Sequence, residues 1–372
     1  MITIVEVNSK KLLKEFVKFP FKLYKDNPYW VPSLISDDLE TFDKTKNPVF
    51  ENAEAYFYLA YKNNEIVGRI VAIINWAEVE QLGKRKTRFG WFDVIDDIEV
   101  TRALLDKVVQ LGKRNAMDHI EGPMGFSNLD KVGCLTEGFE EVSTAIGWYN
   151  WPYYTTHFES LGLKVEKKYI ESEFPFENIP HAPIAKAAQL IKARYELTPI
   201  NFTSTKAIVP YVDAMFALFN DTYAKLQSFV AVSPNQIEYF KKKYIPFINP
   251  EYIKFVEDKD KNIIAFAIVM PNYAKAQQQI KGKLFPFGFL KMLDAKKNNK
   301  EAVFYLIGIA PEYQSKGVTA VVFDEYYKVF EKKGITKCIR TPELEENHAI
   351  HNLWKNFSPI IHKKRCTFSK AI

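Results

Sequence analysis

The feature that most constrains this chain is a repeated order of elements. Residues 55–75, "AYFYLAYKNNEIVGRIVAIIN", are apolar on both sides of Asn63-Asn64, a pair that tolerates left-handed backbone, and so predict a hairpin. A third apolar stretch, "RFGWFDVI", follows. The run "EVTRALLDKVVQLGKRNA" (99–116) then puts Val100, Ala103, Leu104, Val108 and Leu111 on one helical face. After the Gly-rich "HIEGPMGFS" come a short helix in "YYTTHFESLGLK", closing at Gly162, and a strand in "VEKKYIESEF". The second half repeats this order. "YIKFVEDKDKNIIAFAIVM" (252–270) is a hairpin, "AVFYLIGI" the next strand, and "VTAVVFDEYYKVFEKKG" a helix stopped by Gly334. "ITKCIRT", "ENHAIHNLWKNF" and "IIHKKRCTFSK" then read as strand, helix and strand.

The duplication predicts an α/β (α+β) protein of two domains, 1–175 and 201–372, each a mixed, mostly antiparallel sheet flanked by helices. A helix in 176–200 links them, and helical runs at 206–225 and 234–243 precede the second hairpin. Residues 271–300 interrupt the second unit. Their "LFPFGFLKML" is too short and broken for a membrane span, so a lid or a helix lying over a cleft is expected. The N-terminus shows no signal-peptide pattern, and the odd, scattered Cys134, Cys338 and Cys366 suit reduced thiols in a cytoplasmic protein, not a disulfide or metal framework. Net charge is +6, and no nucleic-acid-binding motif accompanies it, so no specific nucleic-acid partner is expected.

Chemistry concentrates in "APEYQSKGVTA" (310–320), a polar loop between a strand ending at Ile309 and a helix starting near Gly317. The first N–H groups of a helix lack internal partners and carry positive partial charge, which suits an anion. Gly317 permits close approach to the backbone, and Gln314, Ser315 and Lys316 add donors. A solvated turn is the plain alternative.

"GIAPEYQSKGVTA" resembles the acyl-CoA-binding motif of the GNAT superfamily: a strand ending in an apolar-x-Pro segment, then a Gln/Arg-x-x-Gly-x-Gly/Ala loop. Gln314, Gly317 and Thr319 fall on the pattern, with Thr319 standing where the family has Gly or Ala. The resemblance covers about 200–372, and the first half resembles the same fold in element order alone. With "FPFKLYKDNPYWVPSL", "KNPVFENAEAYFYLAY" and "GPMGFS", the whole chain is similar to bacterial tandem-GNAT proteins of about this length. The resemblance implies acetyl-CoA or a longer acyl-CoA as co-substrate and a small amine as acceptor. It implies that backbone groups of Ile307 and Ile309 pair with the pantetheine arm and that Gln314, Ser315, Lys316, Gly317, Val318 and Thr319 hold the pyrophosphate. It puts Asn347 beside the pantetheine.

The first half has "FDVIDDIEVTR" at the equivalent loop. Its Asp93, Asp96 and Asp97 would repel a pyrophosphate, and Asp96 and Asp97 suit helix capping, so this half is expected to shape the substrate cleft without binding CoA. Many GNAT members protonate the leaving thiolate with a Tyr that falls here on Trp354, which is no acid. Tyr305 on the strand, Tyr326 or Tyr327 on the helix, and His348 and His351 on the last helix are the substitutes, with Glu301 and Glu343 available to activate an amine. The Gly-rich 122–139, with Ser127 and Asn128, is a candidate loop facing the second half. Three functions stay open: an acyl-CoA-dependent N-acyltransferase, a catalytically degenerate GNAT-fold protein that binds a ligand or partner, and an aminoacyl-tRNA-dependent transferase.

Overall fold

The computed structural model describes residues 1–127, 129–224 and 229–372. The first half runs β1 (Ile2–Glu6), α1 (Lys10–Leu23), α2 (Ile35–Thr41), β2 (Ala53–Lys62), β3 (Glu65–Asn75), α3 (Trp76–Leu82), β4 (Lys86–Val94) and α4 (Ile98–Arg114). It continues with β5 (His119–Gly122), β6 (Cys134–Glu137), α5 (Tyr153–Ser160) and β7 (Lys164–Pro175). Helix α6 (His181–Tyr195) connects it to β8 (Thr198–Asn201), α7 (Thr205–Ile208), α8 (Val212–Tyr223), α9 (Pro234–Tyr244), β9 (Ile253–Glu257) and β10 (Ile263–Pro271). The insertion forms α10 (Ala274–Ile280) and α11 (Gly288–Asn298). Then come β11 (Glu301–Ile309), α12 (Val318–Lys333), β12 (Lys337–Leu344), α13 (His348–Trp354) and β13 (Ile360–Ala371).

All the strands join one sheet, in the order β1-β2-β3-β4-β5-β13-β7-β12-β11-β10-β9-β8, with β6 beside β13. Exchanging β1–β5 with β8–β12, and β7 with β13, maps this order onto itself. The last strand of each half lies against the fifth strand of the other: β13 pairs with β5 and β7 with β12. Among the described residues, only β4–β5 and β11–β12 are parallel, at equivalent places. The duplication read from the sequence is thus a near-symmetric sheet whose halves trade their terminal strands.

Packing follows from the two-residue period of a strand. Ile70, Ala72 and Ile74 of β3 join a core under α4, while Val71 and Ile73 face the opposite core with Phe16 and Val17 of α1. Both faces are covered, which explains an apolar run without alternation. Asn63 and Asn64 take φ of 51° and 64° in the turn, as their side chains allow. In the second half α8 and α12 cover β9–β11 with one continuous core.

The seam between the halves holds a buried ion pair. Arg365 on β13 donates through Nε to Glu171 on β7, and both are fully buried. Its guanidinium also donates to the Trp148 carbonyl, and Lys363 lies 3.6 Å from Glu171. A buried pair of this kind needs such extra partners to offset desolvation.

Candidate functional site

Strand β11 pairs with β12 only from Glu301–Lys337 to Phe304–Arg340. Beyond that point β11 stays on β10 through Ile309, while β12 bulges and stays on β7 through Leu344. A wedge therefore opens beside residues 305–309 and leads into the polar loop. The loop is a 3-10 turn at Pro311–Tyr313, then Ser315 and Gly317 at φ of 62° and 79°. Left-handed backbone suits glycine, which explains Gly317 at the mouth of the helix. Residues 314–317 are exposed, and α12 begins with no side-chain cap. Lys316 lies over the rings of Tyr313 and Tyr195, 5.1 and 5.4 Å from their centroids. Val318 is buried and Thr319 half-buried at the first helical positions.

Two backbone carbonyls in the wedge already have side-chain partners. Tyr223, at the end of α8, donates its hydroxyl to Ile307 O at 3.1 Å, and Gln314 Nε2 donates to Ile309 O at 3.1 Å. Tyr305 points across the cleft and donates to the Leu129 carbonyl of the first half at 2.9 Å. The Gly-rich loop does face the second half. Of its two polar residues singled out in the sequence, Ser127 is seen and Asn128 lies outside the described residues.

Asp130 follows on that loop. Its Oδ2 accepts from the Ser127 N–H at 2.9 Å and hydroxyl at 3.2 Å. Burial lifts its carboxyl above the ordinary range, against the pull of those hydrogen bonds. Asp130 and Ser127 line a depression between the halves with Thr41, Tyr239, Lys243 and Tyr244. Burial, and then Asp130 and Tyr223, push the Tyr305 phenol well up, and burial takes Tyr223 up to about 12. Both phenols are neutral hydrogen-bond donors at physiological pH. Within the depression Lys243 donates to Thr41 Oγ1 at 2.8 Å, and at the other end of the helix that carries Thr41, Ile35 N–H donates to Gly282 O of the insertion at 2.9 Å.

Apart from the exposed His348, the remaining candidates are engaged. Arg340 at the fork contacts Ser172 Oγ at 2.9 Å, pairs with Glu343 and stacks on Trp354, 4.9 Å from the ring centroid. Burial raises the Glu343 carboxyl although Arg340 opposes it. His351 Nε2 lies 2.9 Å from Leu344 O, so that nitrogen carries the proton and Nδ1 faces Arg340 at 3.4 Å. His351 has no nitrogen left for a substrate. His348 opens α13 and is exposed, and Asn347 caps that helix by accepting from the Ile350 N–H at 3.3 Å. Tyr326 is buried and bonded to Tyr252 O, Tyr327 stacks on His181, and Glu301 pairs with Lys337 at the far end of β11. Sequence reasoning leaves out Tyr223, Asp130 and Arg340. A tyrosine ending a helix carries no signal, but the Ser127-x-x-Asp130 spacing marks a local side-chain-to-backbone bond.

The first half differs at the same junction. The chain after β5 stays against β4, with Met124 N–H donating to Phe89 O at 2.8 Å. A Cβ on Gly90 would lie 2.2 Å from the Met124 carbonyl, so only glycine permits this approach. Trp91 packs against Trp148 and Phe126, and α5 supplies Tyr154 and Tyr153 to the N–H and carbonyl of Val94. Asp93 is paired with Arg69 at 2.7 Å and Tyr24 at 2.8 Å. Asp97 caps α4 as expected; Asp96 does not, and meets His157 at 3.1 Å instead.

No protein-family model matches the chain. It is 26% identical over 370 residues to "Protein YghO" of Escherichia coli K12, covering 98% of this chain and 94% of that one. It is 23% identical over 318 residues to "Bacterial ceramide synthase" of Caulobacter vibrioides, covering 84% and 82%. A solved tandem GNAT protein from the clavulanic acid biosynthesis pathway superposes over 100% of this chain and 98% of its own, with a TM-score of 0.60 at 9% identity. The chain has a tandem GNAT fold. Among the described residues, no helix is long and apolar enough to cross a membrane.

Proposed function

We propose that the protein is an acyl-CoA-dependent N-acyltransferase whose second half holds CoA and whose acceptor amine sits between the halves. One observation carries this reading: the wedge beside 305–309 runs directly into the uncapped helix start at Gly317. A strand gap accepts an amide-bearing arm, and a free helix N-terminus with Lys316 accepts phosphate. The residues present fit the group. Gln314–Thr319 would take the pyrophosphate, and Ile307 and Ile309 would face the arm, with Tyr223 and Gln314 yielding their carbonyls. The bound thioester supplies an activated acyl carbonyl.

The chain's own part is to hold the amine and take its proton. An amine arrives as an ammonium ion and needs a carboxylate in a dry site. Asp130 fits this role, since burial raises its affinity for a proton and its loop presents it to the cleft. Tyr305 fixes that loop through Leu129, and Arg340, Glu343 and His351 brace the fork. The similarity to a protein named for ceramide synthesis supports a long acyl chain and a lipid amine.

Titration calorimetry with CoA tests the cofactor assignment, and thiol release from an acyl-CoA series with short and long-chain amines tests the reaction. CoA binding without thiol release from any pair would sink the catalytic reading in favour of a ligand-binding protein. Absence of CoA binding would remove the assignment of the loop.

A further inference from the structure

The insertion has an inverted surface. Helix α11 packs inward through Met292 and Ala295, against Ile280, Leu284 and Phe247. Its outer side, where a helix of a soluble protein carries polar residues, shows Phe289, Leu290 and Leu293. The preceding turn adds Phe285 and Phe287, which are 79% and 72% exposed. Among the described residues, every exposed phenylalanine lies in these five positions. Exposed apolar side chains are ordinary when single and mark a binding surface when contiguous.

Charge says what covers the patch. Residues 281–300 contain six lysines and one aspartate, a net +5 in a chain whose total is +6. The other 352 residues together carry the remaining +1, and the segment that bears the apolar patch is strongly basic. Lys281, Lys283 and Lys291 are exposed at its edge. An apolar patch ringed by lysines matches the interface of an anionic bilayer, where rings enter the acyl boundary and ammonium groups meet phosphate. The insertion is also tied to two elements that line the depression: Gly282 accepts from Ile35 at the start of α2, and Tyr273, preceding α10, donates to Phe247 O at 2.5 Å just beyond α9.

We propose that residues 285–293 and the surrounding lysines seat the protein on an anionic phospholipid surface, with the cleft opening toward it. A lipid amine or long-chain acyl donor then enters from the bilayer without crossing water.

Flotation of the full chain with vesicles of phosphatidylcholine, with and without phosphatidylglycerol, tests this. Binding is expected to the anionic vesicles and to weaken with salt. Phe285→Ser/Phe287→Ser should lower it about 10-fold or more, and Lys283→Glu/Lys291→Glu should abolish the preference for phosphatidylglycerol. All four positions are exposed, and an unchanged circular-dichroism melt confirms that the variants fold. Failure to bind anionic vesicles overturns the proposal, as does binding unaffected by the phenylalanine pair. A concentration-dependent dimer dissolved by that same pair would assign the patch to a second copy and overturn it too. Vesicle binding needs neither CoA nor turnover, so this proposal and the catalytic reading fail separately.

Discussion

Strands β4 and β11 have the same length, pair in parallel with the next strand over three and four residues, and lead into equivalent helices. The halves part company just beyond the paired stretch. In the first, backbone from the Gly-rich segment, a tryptophan cluster and two tyrosines crowd the gap and take its polar groups, leaving a small cavity among Trp91, Asp93, Trp148 and Tyr154. In the second, the strands diverge and, among the described residues, the ends of Tyr223 and Gln314 take the Ile307 and Ile309 carbonyls. Duplication preserved the frame, and the divergence lies in a few side chains that decide whether a strand fork is a core or a binding site. The filled half contributes in another way, by sending Leu129 and Asp130 across to the open one.

The strongest expected effect tests the seam that makes the two halves one body. Arg365→Met leaves the Glu171 carboxylate buried and without its main partner, and should cost about 3–5 kcal/mol of unfolding free energy in urea. Glu171→Leu with Arg365→Met should recover most of it. If Arg365→Met instead yields two separate transitions, with the first half still cooperative, the exchanged strands do not couple the halves.

Next comes the contrast between the loops. Gly317→Glu puts a carboxylate where a phosphate would sit and forces a left-handed residue with a side chain, so CoA affinity should fall about 100-fold by calorimetry. Asp96→Lys added to this variant should restore nothing, because Tyr154 and Tyr153 already take the Val94 N–H and carbonyl that an arm would need in the first half. Recovered binding would refute the difference drawn between the halves.

Asp130→Asn should lower turnover about 100-fold with little change in CoA affinity. Its pH behaviour follows from the raised carboxyl. Wild-type turnover should climb as pH rises through the elevated value and then level off. The folded state holds this proton more tightly than the unfolded one, so the stabilising contribution is complete below the ordinary value of 3.8 and is lost as pH rises through the folded value. The variant should therefore melt higher than wild type at neutral pH and equal it in strong acid. A variant melting lower at neutral pH would show that Asp130 is a structural anchor.

Much of this frame is legible in the sequence because it rests on local signals. Asn63-Asn64, Gly162 and Gly334 punctuate the elements, apolar periodicity assigns α4, and an unbroken apolar run beside the Asn-Asn turn assigns β3. The Gln314–Gly317 loop stands out because its neighbours are apolar. The exchange of β7 and β13 is not legible, since either pairing buries the same strand faces and only the assembled sheet selects one. The site is less legible than the fold. Tyr305 is singled out as a tyrosine on the right strand, yet its partner is a carbonyl, and carbonyls have no sequence identity. His351 has the right chemistry in isolation, and Arg340, Leu344 and Glu345 use it up.

The smallest effects give the finest comparison, because the same chemistry is altered in each gap. Tyr154 receives the Val94 N–H at 2.8 Å and touches the Tyr24 hydroxyl at 3.0 Å, deep in the first half. Tyr154→Phe leaves a buried donor unpaired and should cost about 1–3 kcal/mol, with CoA affinity unchanged. Tyr223→Phe removes a bond to the Ile307 carbonyl at the edge of an open wedge, where water or the arm of a ligand can take its place. Its stability cost should be below about 1 kcal/mol, and CoA affinity should rise by a few-fold as a competitor for that carbonyl disappears. Equal stability losses with no gain in affinity would mean that the second gap is as closed as the first, and the division of labour between the halves would fall.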